Sequence, residues 1–318
     1  MHHRIDALGR GAVLMTLVLA LVALAACAAA RQEVPGATPA PAGPHAAIAF
    51  PVTVTDDASR SVTVRTRPKR IVSLAPADTE ILYSLGAFDR VVGVTTYDDY
   101  PAQVKSLPKM GDFQTPNLEA VAAARPDLVL VTGGVQADVI SKLEAVGAKV
   151  LVVDPKDVSG VLRSIEVVAR CTGTTDRGAR VVSGMRADLA SIAGRLSRTK
   201  PVRAFVEIGW SPLYTAGRGT LLNDLLVRAG GVNVVSRSGY VGYSVEQLVQ
   251  DQPTVYLGTK SSIGDPHALE TRPGYDALKA VQGALVYALD DDLVSRPGPR
   301  IVEGVREIAK ALHPDLFK

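Results

Sequence analysis

Apolar residues Val182, Met185, Leu189, Ile192 and Leu196 recur at spacings of three and four between Gly173 and Pro201. That periodicity predicts one amphipathic helix over residues 175–197, bracketed by the glycine and the proline. At a rise of 1.5 Å per residue it would be roughly 35 Å long, enough to reach across a small domain. A second pattern occurs once on each side of it. Asn117, Glu119, Val121 and Pro126 precede the apolar run 128–130, and Ser244, Glu246, Leu248 and Pro253 precede 255–257 at one constant offset. Each copy reads as a capped helix of about two turns, a proline stop and a short buried strand. A further helix and strand follow in each half, closing over 143–154 in the first and, after an insertion, over 278–290 in the second. Two βα halves joined by one long helix is the α/β architecture this implies.

Alternation of apolar and polar residues over 52–55 and 61–65 predicts a hairpin around Asp56 and Asp57. Strands are expected over 70–74, 91–94, 149–153 and 202–208, and helices over 78–85, 136–146, 158–171, 221–229 and 299–312. Ser244 and Gln247 have the spacing of a capping box at the start of the second repeated helix. The loop 95–101 is polar and aromatic and follows the carboxyl end of a strand, where open α/β sheets bind ligands.

Composition adds the compartment. Arg4 and Arg10 precede an uncharged apolar run, 11–26, that ends in Leu24, Ala25, Ala26 and Cys27, which reads as an export signal too short to span a membrane comfortably. Its ending is similar to a bacterial lipobox, which would leave Cys27 as the lipidated first residue of the mature protein. Residues 28–49 are rich in Ala, Pro and Gly and read as a tether. The chain of 318 residues thus divides into a leader (1–27), a tether (28–49), an N-terminal lobe (50–174), a bridging helix (175–198) and a C-terminal lobe (199–318). Anchor and tether place the folded part outside the cell membrane. With Cys27 lipidated, Cys171 has no partner, so no disulfide is expected, and its position on a helix's apolar face predicts buried filler. The formal charge of +3 is scattered, which argues against nucleic acid as a partner.

Catalytic chemistry finds little support. The chain carries no glycine-rich dinucleotide turn, phosphate-binding loop or nucleophile elbow, and His267 and His313 are the only histidines in the predicted lobes. No catalytic residue, metal site or cofactor is expected; Asp290, Asp291 and Asp292 read as a solvated loop rather than a cation site. The aromatics are more informative. Tyr83, Phe88, Phe205 and Tyr256 fall in core positions, whereas Tyr97, Tyr100, Phe113, Trp210, Tyr214, Tyr240 and Tyr243 fall in predicted loops or at strand ends. Rings at lobe edges suit a large, partly apolar ligand held between the lobes.

Five segments carry a resemblance: 71–80 with Pro76 and Glu80, 91–101 with Tyr97 and Pro101, 117–119, 126–129, and 296–300. Together they resemble the solute-binding proteins of cobalamin and iron-siderophore ABC importers, nearest the cobalamin-binding branch, from about Val52 to the C-terminus. The resemblance implies two Rossmann-like lobes bridged by one long helix, the class III periplasmic-binding-protein type. It implies a monomer that delivers cobalamin, or alternatively a ferric siderophore or haem, to a permease dimer with its ATPase. Glu119 and Glu246 match the family's docking glutamates. Tyr97, Asp292 and Arg296 match pocket residues, to which the aromatic distribution adds Tyr100, Phe113, Trp210, Tyr214 and Tyr240. Phe113, the 131–132 strand end and the 240–241 pair stand where cobalamin binders often place tryptophan, and Arg218, Arg237, Arg272 and Arg296 would suit an anionic siderophore. An extracytoplasmic sensor or enzyme on the same scaffold is the rival of a different class.

Overall fold

The structure, a computed structural model, describes residues 49–145 and 147–317; the predicted leader, Cys27 and nearly all of the predicted tether lie outside the described residues. The hairpin forms from β1 (Val52–Thr55) and β2 (Ser61–Val64). β3 (Ile71–Ser73), β4 (Val91–Gly93), β5 (Leu128–Val131) and β6 (Val150–Val152) make a parallel sheet in the order β4-β3-β5-β6. Every residue of β3, β5 and β6 is buried, which is why these strands read as apolar runs rather than as alternation. Around them lie α1 (Pro76–Ser84), α2 (Leu118–Ala123), α3 (Ala137–Ala145) and α4 (Val158–Thr172).

α4 ends at Gly173, whose φ of 67° supplies the left-handed cap that turns the chain into α5 (Thr175–Leu196). Cys171 sits fully buried near the end of α4, and the apolar surroundings push its thiol up to about 12, so it is inert filler. α5 is fastened at both ends. Arg177 Nε donates to the Ser84 carbonyl at 2.7 Å on the N-terminal side, and Arg195 Nη1 donates to the Leu316 carbonyl at 3.1 Å on the C-terminal side.

The second sheet runs β10-β8-β7-β11-β12, with β9 also on β7. Its strands are β7 (Val202–Gly209), β8 (Tyr214–Ala216), β9 (Gly231–Asn233), β10 (Tyr240–Gly242), β11 (Val255–Thr259) and β12 (Val286–Leu289). Its helices are α6 (Leu221–Arg228), α7 (Val245–Asp251), α8 (Lys260–Ile263), α9 (Lys279–Gln282), α10 (Asp291–Ser295) and α11 (Ile301–Leu312).

The repeat is structural. Asn117 Oδ1 accepts from Ala120 N–H at 3.0 Å to start α2, and Ser244 Oγ accepts from Gln247 N–H at 3.1 Å to start α7. Both helices stop on a left-handed residue directly before the proline, Arg125 (φ 45°) and Gln252 (φ 43°). The capping box is only half formed, because the Gln247 amide reaches forward to Asp251 at 3.2 Å instead of back to Ser244. Two other expectations change. The Asp290 to Asp292 segment is not a solvated loop: Asp290 accepts from Asp292 N–H as the cap of α10, and pairs with Lys260 at 2.8 Å. Tyr83 is 38% exposed on α1 rather than core.

One apolar core runs through both halves, taking Leu162 from α4, Leu222 from α6 and Ile301 from α11. Polar ties cross the same boundary. Asp224 on α6 accepts from Val158 N–H at 2.9 Å, capping α4 from the other half. Glu80 on α1 receives Arg300 at 2.6 and 2.9 Å and Arg296 at 3.2 Å, both from the stretch joining α10 to α11.

Candidate functional site

A cavity of roughly 800 Å³ opens between the halves. That lies toward the upper end of the about 300–1,000 Å³ typical of small-molecule sites. Its N-terminal wall is built from the carboxyl ends of three parallel strands, through Ala75 to Ala77 after β3, Thr132 to Val135 after β5, and Val153 to Lys156 after β6. Tyr97 and Phe113 add two rings to that wall. The C-terminal wall comes from Gly219 to Leu221 at the start of α6, from Gly239 and Tyr240, and from Ser295 to Pro297. Gly133 is needed for space, because a Cβ there would run into the Asp154 carboxylate.

Local chemistry sets each ring. Asp98 accepts from Thr95 N–H at 2.9 Å and from the Thr95 hydroxyl, and Tyr97 N–H donates back to Thr95 Oγ1 at 3.2 Å. This turn presents the Tyr97 ring, 60% exposed, to the cavity. Tyr240 begins β10 opposite Ala216 and presents its ring, 58% exposed, from the other side.

The charged groups of the lining are already paired. Lys156 meets Asp154 at 2.7 Å. Arg296 meets Asp99 at 2.6 Å, Asp292 at 2.7 Å and Glu80 at 3.2 Å. The Arg296 hydrogen bonds hold the Asp99 carboxyl below the usual carboxylate range.

Of the eight residues expected at the ligand, Tyr97, Phe113, Tyr240 and Arg296 line this cavity. The other four stand elsewhere. Tyr100 lies under the Arg300 guanidinium at 4.5 Å and edge-on to Tyr83 at 5.8 Å. Trp210 is covered by Arg272 at 4.3 Å and meets Tyr275 edge-on at 5.2 Å. Tyr214 is exposed on β8, and Asp292 reaches the cavity only through Arg296. Of the four arginines considered for an anionic ligand, Arg272 is bound to buried Glu207 at 2.6 Å and Arg237 stacks on Tyr243 at 5.2 Å. Arg218 is exposed outside the lining. The lining residues that the pattern did not single out, such as Gln114, Pro155 and Ser295, carry no aromatic or charge signature that separates them from ordinary loop and strand-end residues.

Behind the N-terminal wall lie two buried carboxyls, Asp78 on α1 and Asp98, with Asp78 Oδ2 and Asp98 Oδ1 lacking hydrogen-bond partners among the described residues. Burial, reinforced by Asp98, pushes the Asp78 carboxyl well above its ordinary range. The folded pKa therefore exceeds the unfolded one. The resulting cost is absent below the unfolded value of about 3.9, grows as pH rises, and is complete above the folded value. Asp78→Asn is accordingly expected to stabilise the protein by about 1–3 kcal/mol at neutral pH. In urea unfolding that gain should vanish near pH 3; a loss of stability at neutral pH would contradict the assignment.

The periplasmic binding protein family model matches residues 71–293. The chain is 38% identical over 278 residues to the uncharacterized ABC transporter substrate-binding lipoprotein YvrC of Bacillus subtilis, covering 85% of this chain and 88% of the relative. Among solved structures, the periplasmic vitamin B12-binding protein BtuF of Vibrio cholerae superposes with a TM-score of 0.71 at 28% identity, covering 77% of this chain and 97% of that one. The periplasmic heme-binding protein RhuT of Roseiflexus sp. RS-1 gives 0.71 at 26% identity, covering 79% and 99%. The chain belongs to the periplasmic binding protein family, with the class III fold and the role of an extracytoplasmic substrate-binding component of an ABC importer.

Proposed function

We propose that the cavity captures a corrinoid of the cobalamin class and that the chain hands it to a dimeric ABC permease with its ATPase. The observation that carries the ligand is the combination of aromatic walls from both halves with a lining whose charges are already neutralised by protein partners. Cyanocobalamin is large, flat over its corrin and neutral overall, so it demands no free cation. A haem brings two propionates and many ferric siderophores bring net negative charge, and either would have to draw Arg296 away from three carboxylates. The similarity to a vitamin B12-binding protein supports the same reading. Tyr97, Phe113, Tyr240 and Arg296 make the direct contacts, and Asp292 keeps Arg296 oriented.

Glu119 and Glu246 are the permease contacts in this reading. Both are exposed in the first turns of α2 and α7, at equivalent places in the repeat, and neither forms an ion pair among the described residues. Lipidation at Cys27 would keep the chain at the membrane beside its permease.

Removing both cavity tyrosines tests the ligand site. Tyr97→Ala combined with Tyr240→Ala should weaken cyanocobalamin binding by about a hundredfold, from the loss of two stacking faces. Unchanged affinity in the folded double variant would move the ligand out of this cavity.

A further inference from the structure

The geometry points to Gln136 as the positioning residue that holds the N-terminal wall of the cavity in shape. Its side chain is fully buried, at the end of the 3₁₀ turn Gly134–Gln136 that leads into α3. One amide group there joins three separate segments. Nε2 donates to the Leu74 carbonyl at 2.7 Å and to the Phe113 carbonyl at 2.7 Å, while Oε1 accepts from Thr132 N–H at 2.8 Å.

Each partner belongs to the wall or adjoins it. Leu74 immediately precedes the Ala75 to Ala77 stretch, Phe113 is itself a lining ring, and Thr132 opens the Thr132 to Val135 stretch. Two carbonyls and one N–H admit only one orientation of the amide, so the assignment of its nitrogen and oxygen follows from the partners. No other residue type offers two donors and one acceptor at that reach. Glutamate keeps the shape but turns an oxygen toward two carbonyl oxygens. Methionine keeps the volume but leaves all three backbone groups without this partner, a costly state for buried polar groups. Phe113 is the ring most exposed to the change, since its loop is tied to the sheet end through its own carbonyl.

The inference rests on the corrinoid reading for its binding test, and on the ligand-free protein for its structural test. Gln136→Met and Gln136→Glu are made in the full chain, with Ile308→Ala, a buried substitution in α11, as a comparison of similar destabilisation. Hydrogen exchange of the ligand-free proteins, read by peptide, should rise over 111–116 and 132–135 in the Gln136 variants and not in Ile308→Ala. Titration with cyanocobalamin, at a temperature where each variant is folded, should show affinity falling about tenfold or more in both Gln136 variants and unchanged in Ile308→Ala. Exchange in those segments indistinguishable from wild type, or affinity within about twofold of wild type in both folded variants, overturns the assignment. If the wild-type chain does not bind cyanocobalamin, the corrinoid reading fails, and the exchange result alone decides the role of Gln136.

Discussion

Glu80→Ala is expected to cost about 3 kcal/mol of folding stability, read as a lower urea midpoint with an unchanged slope. Glu80 is 2% exposed and is the carboxylate on which both guanidinium groups from the α10 to α11 stretch converge. Its hydrogen bonds raise the pKa of Arg300 above its ordinary value, so the arginine is held in its charged form. Removing the acid leaves that charge half-buried without its hydrogen-bonded carboxylate, with the Tyr100 ring at 4.5 Å and the field of the Asp292 and Glu303 carboxylates remaining. Arg296 retains Asp99 and Asp292, and both arginines keep some access to water, which keeps the loss at the lower end for a broken buried pair. Glu80→Gln, which can still accept hydrogen bonds, should lose less. Because the tie joins α1 to the residues that line the cavity from the other half, the alanine variant should also bind ligand more weakly while folded. A loss below about 1 kcal/mol would mean that the pair contributes no more than a surface bridge.

Abolished uptake is the second large effect expected. Glu119→Ala with Glu246→Ala should stop ligand delivery in cells that depend on this chain, while the purified double variant binds ligand with wild-type affinity. The physical basis is separation: both glutamates are exposed on α2 and α7, and neither lines the cavity. The single variants should each retain part of the transport, since in the proposed docking either half still meets its side of the permease. A glutamate in the first turn also favours its helix through the backbone dipole, so a small drop of about 0.3–1 kcal/mol per site should accompany each change. Lost affinity in the double variant, rather than lost transport, would contradict the docking role.

Much of this arrangement is legible in the sequence because it is local. The periodicity of Val182, Met185 and Ile192 marks α5, whose residues at those positions are buried. Asn117 with Pro126 and Ser244 with Pro253 mark α2 and α7, since caps and proline stops act within a few residues. The three-residue strands β8, β9 and β10 are too short to display a period, and 240–242 reads as a loop for that reason. The site is harder. Sequence places Tyr100 and Trp210 in loops near strand ends, yet cannot show that Arg300 covers one and Arg272 the other from far along the chain. Glu80 directly precedes the apolar pair Ile81 and Leu82 on α1, which is a faint signal of a buried acid, but its partners stand more than two hundred residues away. Gln136 looks like any polar residue before a helix; only the fold brings Leu74, Phe113 and Thr132 to one amide.

Calorimetric titration of the purified protein with cyanocobalamin, and in parallel with haem and a panel of ferric siderophores, tests the central claim most directly. The account predicts saturable one-to-one binding of cyanocobalamin and none, or far weaker binding, of the anionic ligands, as a charge-balanced aromatic cavity requires. Tight binding of haem or of a ferric siderophore with no heat from cyanocobalamin would contradict it, and would show that Arg296 leaves its carboxylates to meet an anion.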